Sequence, residues 1–495
     1  MRKLTIAVIA FSLLAMAGCI KEEVLNDDGK GSSEQQVSGD PAGDPSGEPS
    51  GDPASADPPS GTSAKKGNAF VFDVQDVPKL TISVSLDEWN RLLKAYDDNI
   101  NTREYIHCDA TFIKDNQRYV VNDSGLRLRG QTSRRRPEGA MGQEHGKEGF
   151  RRVHFGLNFR HYHKKDKKYD LKGVHKINLK YAKEDPTYIR EHYGFDFLER
   201  QGVWTSQKTS WCRLYLHVEG DENPFYMGVY LMMEAVDDEY LEERSQFRSD
   251  EGYLWKCSWG SNLRDTDDWR FGAGEKPGGQ YAYELKTRED ELSTAKAQLV
   301  DFIKNLRDLK GSQFEAWIKQ HCDVDLLLRT YAAFVALGHW DDYWNDMNNF
   351  YLYFDSTSKD DYKVYMIPYD LDNTLGTSHN CGVQTDSGRH DPFRWGIDEC
   401  IFISKLLGIG DYRHKYKEYL KAIASPGSDF IYENSVERIK AWHKLIGPYV
   451  ANDTGEDCSL RDRPASWSNH QEYRLIEDSP SGNWFRVKCS VLESL

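Results

Sequence analysis

Two nearby segments of the chain concentrate carboxylates and side-chain amides beside apolar runs. Residues 339–353 read HWDDYWNDMNNFYLY, and residues 364–376 read VYMIPYDLDNTLG. Polar side chains come just before the first apolar run and just after the second, which predicts two strands with a polar loop on each. Carboxylate and amide oxygens are the ligands that Mg²⁺ and Mn²⁺ prefer. The pattern therefore favours a site for a divalent cation and a phosphorylated ligand, as phosphoryl-transfer enzymes require.

The N-terminus predicts an exported, lipid-anchored protein. A basic pair precedes an apolar run, Leu4 to Ala17, that is too short for a typical spanning helix. The following Met16–Cys19 resembles a bacterial lipobox, in which Cys19 carries the lipid, and residues 20–23 resemble the surface-export signal of Bacteroidetes lipoproteins. We expect residues 1–19 to be a lipoprotein signal peptide and the protein to lie in the outer membrane, at the cell surface of a Gram-negative bacterium. The alternative is an ordinary secretory signal with an incidental cysteine.

A disordered linker is predicted over residues 20–67. Gly-Asp-Pro and Gly-Glu-Pro units repeat there among Ser and Ala, with almost no large apolar residue. Such a segment cannot bury enough surface to offset its ordering entropy. Proline and like charges extend it, so we expect it to hold the globular part of the chain away from the membrane.

The charge distribution disfavours nucleic-acid binding and points to a local phosphate site. The net charge is −15, which opposes contact with a polyanion. Residues 127–183 nevertheless carry 17 lysines and arginines against 5 acids. A basic stretch usually forms a solvent-exposed face, and Lys164–Lys168 fit that interpretation. The more specific hypothesis is that part of the stretch binds phosphate groups.

Cysteine and serine patterns exclude two other classes of site. Eight cysteines besides Cys19 show no C-x-x-C pair, so zinc-site spacing is absent. No G-x-S-x-G motif suggests a serine hydrolase. Export permits disulfides, and Cys458 with Cys489, or Cys381 with Cys400, are the candidate pairs. His339 and His379 are not expected to bind a metal.

The hydrophobic periodicity predicts an α+β fold with a strand-rich N-terminal half and a helix-rich C-terminal half. Ser85 and Glu88 form a capping box that opens the first long helix. The predicted strands are Leu80–Val84, Tyr105–Ile113, Arg118–Val121, Leu126–Leu128, Val153–Phe159, Lys176–Lys180, Leu214–Leu216 and Met227–Glu234. The predicted helices follow Asp185–Thr187 and cover Asp237–Arg244, Ser293–Leu309, Ser312–His321, Val324–Leu337, Phe402–Leu407, Tyr412–Ala424 and Glu433–Leu445.

Six ordered segments between residues 75 and 450 resemble the spore-coat protein H (CotH) kinase family. They are Leu128–Gly130 with Ser133; Val153–Phe159; Lys176–Leu179 with Asp185–Arg190; Gly228–Tyr230 with Glu234; Asp341–Tyr353; and Ile367–Asp372. The resemblance implies an atypical protein kinase with two lobes, at about residues 68–240 and 241–450, followed by an extension over residues 451–495. It also implies ATP and Mg²⁺ or Mn²⁺ as cofactors and an exported protein as the phosphorylated partner.

The resemblance also implies roles for individual residues. Asp341 matches the catalytic aspartate. Asn349, Asp370 and Asp372 are the expected metal ligands. The expected nucleotide-binding residues are Arg129, Gly130 and Ser133 of a phosphate-side turn, with Arg152, Lys180 and Glu234.

Two departures from the family pattern leave alternatives open. Seven residues separate Asp341 from Asn349, whereas four separate the corresponding residues in protein kinases. Asp342, Asn345 or Asn348 could therefore take one of the roles. Arg151 and Arg152 stand at a strand start where the family often has lysines, and Lys176 or Lys180 could supply a lysine from the next strand.

Two functions fit these features. One is a membrane-anchored kinase that transfers the γ-phosphoryl group of ATP to Ser or Thr of an exported protein. The other is a catalytically inactive surface module of the same fold that binds a glycan or a host protein, which the long linker and the aromatic content favour.

Overall fold

A computed structural model describes residues 67–495, except 184, 277–278, 357–360, 378–385 and 464–472. The lipobox with Cys19, the linker before residue 67, and His379 and Cys381 lie outside the described residues. Within the described part, no helix is long and apolar enough to cross a membrane. The mixed α/β architecture is confirmed, while the division into two lobes stays a prediction.

Seven strands close into a barrel in the order β1-β2-β3-β4-β5-β7-β6. Neighbours are antiparallel, except that β6 closes the barrel by pairing in parallel with β1. Apolar side chains alternate into the interior, as in β2, because successive side chains of a strand point to opposite faces. The strands are β1 (Lys79–Val84), β2 (Ile106–Lys114), β3 (Gln117–Leu128), β4 (Phe155–Asn158), β5 (Lys176–Tyr181), β6 (Thr209–Val218) and β7 (Phe225–Glu234).

The two predicted strands on either side of the phosphate-side turn at Gly130 pair with each other. Strand β3 is continuous where the periodicity suggested two pieces, and it pairs with β4 from Gly125↔Asn158 to Leu128↔Phe155. The Ser85 hydroxyl accepts a hydrogen bond from the amide of Glu88 at 3.3 Å, which confirms the predicted helix start. The ends of β3 and β5 lie on neighbouring parts of the barrel and carry the residues discussed below.

A second sheet has five strands in the order β12-β11-β8-β10-β9. Its hairpin of β11 (Phe350–Ser356) and β12 (Tyr362–Pro368) is the pair predicted from the two polar-flanked segments. The other three strands were not predicted, because they are only three to five residues long and show little alternation. They are β8 (Tyr253–Cys257), β9 (Phe271–Ala273) and β10 (Tyr283–Leu285).

Helices surround the second sheet and bury the larger hydrophobic cluster. The predicted helix Val324–Leu337 has the same bounds in the structure. In chain order the helices are α1 (Asn68–Val71), α2 (Leu86–Asp98), α3 (Arg190–Arg200), α4 (Asp238–Glu242), α5 (Leu292–Asp308), α6 (Gly311–His321), α7 (Val324–Leu337), α8 (Tyr343–Asp346), α9 (Ile401–Leu407), α10 (Gly410–Ala424), α11 (Tyr432–Ile446) and α12 (Trp484–Glu493).

The predicted disulfide between Cys458 and Cys489 is wrong. Both thiols are free. Cys489 is buried in α12, and the Cys458 thiol lies 3.7 Å from the carbonyl oxygen of Glu456. Five further cysteines are buried free thiols: Cys108, Cys212, Cys257, Cys322 and Cys400. Cys400 belongs to the other predicted pair, whose partner Cys381 lies outside the described residues.

Candidate functional site

One lysine joins three carboxylates from two separate parts of the fold. The Lys180 Nζ, near the end of β5, lies 2.6 Å from the Glu191 carboxylate and 2.5 Å from that of Asp370. A third carboxylate, Asp372, lies 3.7 Å away. Glu191 stands in the first turn of α3, where the helix dipole favours a negative side chain. We call these four residues the Lys180 cluster.

The cluster has more acid than base, and its pKa values reflect this. Burial opposes the charged ammonium, but attraction from Asp370 and Glu191 outweighs it and raises the pKa of Lys180 well above its usual value. Burial raises the pKa of Glu191 to about 8. Burial and the neighbouring Asp370 raise the pKa of Asp372 to about 6. Burial acts on Asp370 too, but Lys180 outweighs it and lowers the pKa of that carboxyl. One ammonium therefore does not neutralise the three carboxyl groups.

The donor set fits a hard divalent cation. Ligand oxygens of Glu191, Asp370 and Asp372 all lie within 4.8 Å of one another. An all-oxygen carboxylate set suits Mg²⁺ or Mn²⁺ rather than softer metals. The surplus negative charge points the same way, since a cation would relieve it.

The predicted metal ligands Asn349 and Asp370 stand at the same end of the β11–β12 hairpin. Asn349 directly precedes β11, Asp370 is the second residue after β12, and the pair Phe350↔Pro368 closes that end of the ladder. Both residues have positive φ, +55° and +58°. Asn and Asp tolerate this conformation better than most residues, and it recurs at functional sites.

Asp341 is held between two asparagines in the loop before α8. Its carboxylate accepts hydrogen bonds from Asn348 at 2.9 Å and from Asn373 at 2.8 Å, and its backbone carbonyl accepts one from Asn349 at 3.0 Å. Burial and the nearby Asp346 raise the pKa of Asp341 well above its usual value. Asn373 belongs to the segment that carries Asp370, so Asp341 adjoins the Lys180 cluster.

Two of the three polar residues that could have replaced Asp341 or Asn349 have local contacts. Asp342 is fully buried and caps α8, accepting a hydrogen bond from the amide of Asn345 at 2.8 Å. Asn348 donates to Asp341. The contacts of Asp342 and Asn348 are local, and the roles of Asp341 and Asn349 stay predictions.

The phosphate-side turn after β3 reaches the same region. Arg129 donates to the hydroxyl of Tyr369 at 3.0 Å, next to Asp370 in the chain. Gly130 has φ +95°, and a side chain there would clash with the Ser133 hydroxyl, so the turn requires glycine.

Two predicted nucleotide-binding residues lie elsewhere. Arg152 is fully buried, and its guanidinium donates to the Tyr188 hydroxyl at 2.9 Å and to the Glu456 carbonyl at 3.1 Å. Glu234, the last residue of β7, forms a two-pronged pair with Arg244, each contact 2.8 Å long. Their predicted roles are not favoured by this geometry, because neither side chain contacts the Lys180 cluster.

Glu191 is the main residue that the sequence reasoning missed. It lies eleven residues after Lys180, in a helix recognised only by its apolar face. A charged residue in the first turn of a helix that directly follows a lysine-bearing strand was the available signal. Lys256, whose ammonium lies 5.1 Å from the Tyr369 ring centre, gave no signal, since strand β8 was not predicted.

A model of the family described as CotH kinase protein matches residues 126–478. The chain belongs to the CotH family. The match spans most of this CotH protein and includes all four residues of the Lys180 cluster, together with Asp341 and Asn349.

Two curated proteins are similar to this CotH protein. The inner spore coat protein H of Bacillus subtilis is 25% identical over 284 residues, which is 57% of this chain and 71% of that protein. The spore coat protein homolog 1 of Rhizopus delemar is 21% identical over 306 residues, which is 61% of this chain and 46% of that protein.

Proposed function

We propose that this CotH protein is a protein kinase that transfers the γ-phosphoryl group of ATP to a Ser or Thr hydroxyl of an exported protein. The observation that carries the proposal is the contact of Lys180 with both Glu191 and Asp370. Protein kinases use a strand lysine paired with a helix glutamate, and a separate aspartate that holds the metal. Lys180, Glu191 and Asp370 have the matching positions on a strand, on the following helix and after a later strand. A kinase-like, two-lobed arrangement is part of this proposal.

Each residue has a distinct part in the proposed reaction. Lys180 binds the phosphates of ATP and is positioned by Glu191, while Arg129 and the turn at Gly130 and Ser133 cover the phosphates from the side of β3. Asp341 orients the acceptor hydroxyl and takes its proton. The hydroxyl oxygen forms a bond to the γ-phosphorus as the bond to the leaving ADP oxygen breaks. A raised carboxyl pKa suits this role, because a proton acceptor works best near the ambient pH.

Mg²⁺ or Mn²⁺ would be held by Asp370 and Asp372, with Asn349 as a further oxygen donor. When bound, the metal neutralises charge on the phosphates. Without a ligand, the Lys180 ammonium contacts these carboxylates. A metal ion bound by the same carboxylates would take over part of this pairing, so that the ammonium could contact the phosphates.

The test is transfer of labelled γ-phosphate by the full chain to candidate exported proteins in the presence of Mg²⁺. We expect transfer that falls about 10²- to 10³-fold in the Asp370→Asn variant, the size of effect seen when one transition-state contact is removed. Asp308→Asn, an exposed aspartate, is the matched control. No transfer, or equal transfer by Asp370→Asn, would contradict the proposal.

A second candidate function is binding without turnover. Trp259 and Trp269 are 53% and 61% exposed, and exposed aromatic rings suit stacking on a glycan or docking of a host protein. Binding of a polysaccharide or host protein that is lost in Trp269→Ala, without binding of ATP, would favour this function.

The proposal places the protein at the outer membrane through a lipid on Cys19, which the lipobox-like sequence supports. Metabolic labelling with a radioactive fatty acid tests this. We expect label in the membrane fraction of cells expressing the full chain and none with Cys19→Ala; equal labelling would contradict the anchor.

A further inference from the structure

A group of cations lies beside the Lys180 cluster, on the outer face of the barrel and the facing second sheet. Among the described residues the only carboxylate that these side chains contact is Glu284, which binds Arg103 and Lys286. We call the group the basic surface: Arg103, Arg127, Arg129, Arg134, Lys256 and Lys286.

Three of these cations have no ion-pair partner in the described part of the chain. Arg129 contacts a tyrosine hydroxyl, Lys256 lies over the ring of the same tyrosine, and Arg127 lies 5.4 Å from the ring centre of Tyr105. Arginines that serve only the fold normally meet carboxylates or several carbonyls, as Arg134 does here with the carbonyls of Thr102 and Gly130. The charge of Arg127, Arg129 and Lys256 is thus left for a ligand.

The fold is built to place the two arginines side by side. Leu126 and Leu128 point into the barrel and are buried, so Arg127 points outward. Gly156 of β4 pairs with Arg127, and a side chain there would come within 3.1 Å of Arg129 Cδ and 3.5 Å of Arg127 Cγ. Because Gly156 has no side chain, the stems of both arginines can cross β4.

The second sheet supplies the opposite side of the basic surface. Lys256 stands between Tyr351 and Glu284 in the cross-strand register. Arg103 reaches across from the barrel to Glu284, with one contact at 3.1 Å, and Lys286 lies 3.0 Å from the same carboxylate. The basic surface therefore bridges the barrel and the second sheet.

The like charges raise the energy of the basic surface in the absence of a ligand. Burial and the neighbouring Arg127 and Arg103 lower the pKa of Arg134 to about 10. Burial and Arg129 also lower the pKa of Arg127. A bound anion would remove this repulsion.

The position of the basic surface indicates which part of the reaction it serves. Arg129 adjoins Tyr369 and hence Asp370. Arg127 is two residues earlier, so its backbone lies about 7 Å from that of Arg129 along the strand direction. An extended peptide advances about 3.3 Å per residue. A group held by Arg127 would thus belong to a residue about two or three positions from an acceptor serine placed near Asp370.

We propose that Arg127, with Arg103, Lys256 and Lys286 around it, forms an anion subsite that selects acceptor peptides carrying a negative charge two or three residues from the phosphorylated serine. This inference rests on the proposed phosphoryl transfer. The negative group is an acidic side chain or a phosphate already on the acceptor, and both present oxygens that an arginine fork binds.

The test compares serine peptides that differ only at that position: Glu, phosphoserine or Gln. With the full chain, ATP and Mg²⁺, we expect the KM for the Glu peptide to be about tenfold lower than for the Gln peptide, the effect of roughly one charge-assisted hydrogen bond. Arg127→Gln should abolish this difference and change the KM for ATP less than twofold. Arg118→Gln, on the exposed end of the same strand, is the matched control. If the phosphoserine peptide is preferred over the Glu peptide, the subsite selects a primed acceptor; the reverse order identifies an acidic one.

The outcomes separate this inference from the proposed function. Transfer that does not distinguish the peptides, or an equal rise in the KM for ATP in Arg127→Gln, would overturn the anion subsite and leave the kinase standing. If no transfer occurs, peptide binding followed by fluorescence anisotropy decides: Glu-peptide binding lost in Arg127→Gln supports the subsite, and equal binding overturns it. If Arg127→Gln folds poorly, Lys286→Gln replaces it in the test. We expect Lys286→Gln to reduce, but not abolish, the difference in KM between the Glu and Gln peptides.

Discussion

Lys180 and Lys488 are both withdrawn from solvent, but their surroundings are opposite. Lys180 contacts three carboxylates. Lys488 is fully buried in α12, donates to the carbonyl oxygen of Ser387 at 2.6 Å, and lies about equally far from the rings of Trp395 and Trp484, at 5.0 and 5.2 Å. Among the described residues no carboxylate forms an ion pair with Lys488.

The two environments move the lysine pKa values in opposite directions. Burial opposes the charge in both cases. At Lys180 the carboxylates outweigh burial and the pKa rises, whereas at Lys488 burial dominates and the pKa falls to about 7. Because Lys180 has three carboxylates around it, another cation can bind to the same carboxylates. Lys488, which lies between two tryptophan rings, contributes only to packing.

The largest expected effect is on catalysis at Lys180. Lys180→Met should reduce kcat/KM for phosphoryl transfer about 10²- to 10³-fold, because a positioned charge on the phosphates is lost. Added Mg²⁺ should raise the thermal midpoint of this variant more than that of the natural protein, since three carboxylates then lack their ammonium. Lys168→Met, at an exposed lysine, should leave both quantities unchanged. Full activity in Lys180→Met would show that Lys180, like Lys488, has only a structural role.

The Arg244–Glu234 pair is a balanced counterpart to the Lys180 cluster, with one cation, one carboxylate and side chains 9% and 6% exposed. Arg244→Met should lower the free energy of unfolding by about 3–5 kcal/mol, because it leaves a buried carboxylate unpaired. Urea unfolding measures this, with the exposed Arg394→Met as control. Activity per folded molecule should not change; a selective loss of ATP binding would return Glu234 to the nucleotide site.

Lys488 should make stability depend on alkaline pH. The folded lysine releases its proton near pH 7, whereas the unfolded one holds it to about pH 10.4. The unfolded state therefore binds more protons in this window, so stability rises with pH. Between pH 7 and 10 the natural protein should gain a few kcal/mol relative to Lys488→Met, since one pKa unit corresponds to about 1.4 kcal/mol. Denaturant unfolding at four pH values measures the difference, with the exposed Lys94→Met as reference. Parallel curves would show that Lys488 stays charged when folded.

The smallest expected effect is at the phosphate-side turn. Gly130→Ala combines a positive φ with a clash against Ser133, so we expect a loss of about 1–2 kcal/mol in stability and a several-fold rise in the KM for ATP. Gly142→Ala also has a positive φ but open space around it. It isolates the backbone strain and should leave the KM for ATP unchanged. If the two variants have the same KM for ATP, the turn at Gly130 does not take part in nucleotide binding.

Much of the fold was predictable because long elements carry a strong period. Helix Val324–Leu337 and the hairpin of β11 and β12 show this. The other three strands of the five-stranded sheet were not predicted, since β8, β9 and β10 gain their stability from pairing with distant strands rather than from local pattern. The continuation of β3 through Asp123, a residue with positive φ, was hidden by polar residues for a similar reason.

The candidate site was predictable in its residue types more than in its contacts. The polar-flanked segments gave Asp341, Asn349, Asp370 and Asp372, and the resemblance gave Lys180. The contact of Glu191 with Lys180 depends on how α3 packs beside β5, and its only sequence signal was its place in the first turn of the helix after that strand. The basic surface depends on how the barrel faces the second sheet, which sequence spacing does not encode. Arg152 and Glu234 have suitable charges for the site, but burial commits them to other partners.

The most direct test of the central claim is the binding of Mn²⁺ with a non-hydrolysable ATP analogue, followed by electron paramagnetic resonance of free Mn²⁺. The account predicts that the full chain binds Mn²⁺ more tightly when the analogue is present. Asp370→Asn should weaken that binding at least about tenfold, the effect of losing one ionised ligand, and the control Asp308→Asn should not. Equal Mn²⁺ affinity in the natural protein and in Asp370→Asn would contradict the assignment of the Lys180 cluster as the metal–nucleotide site.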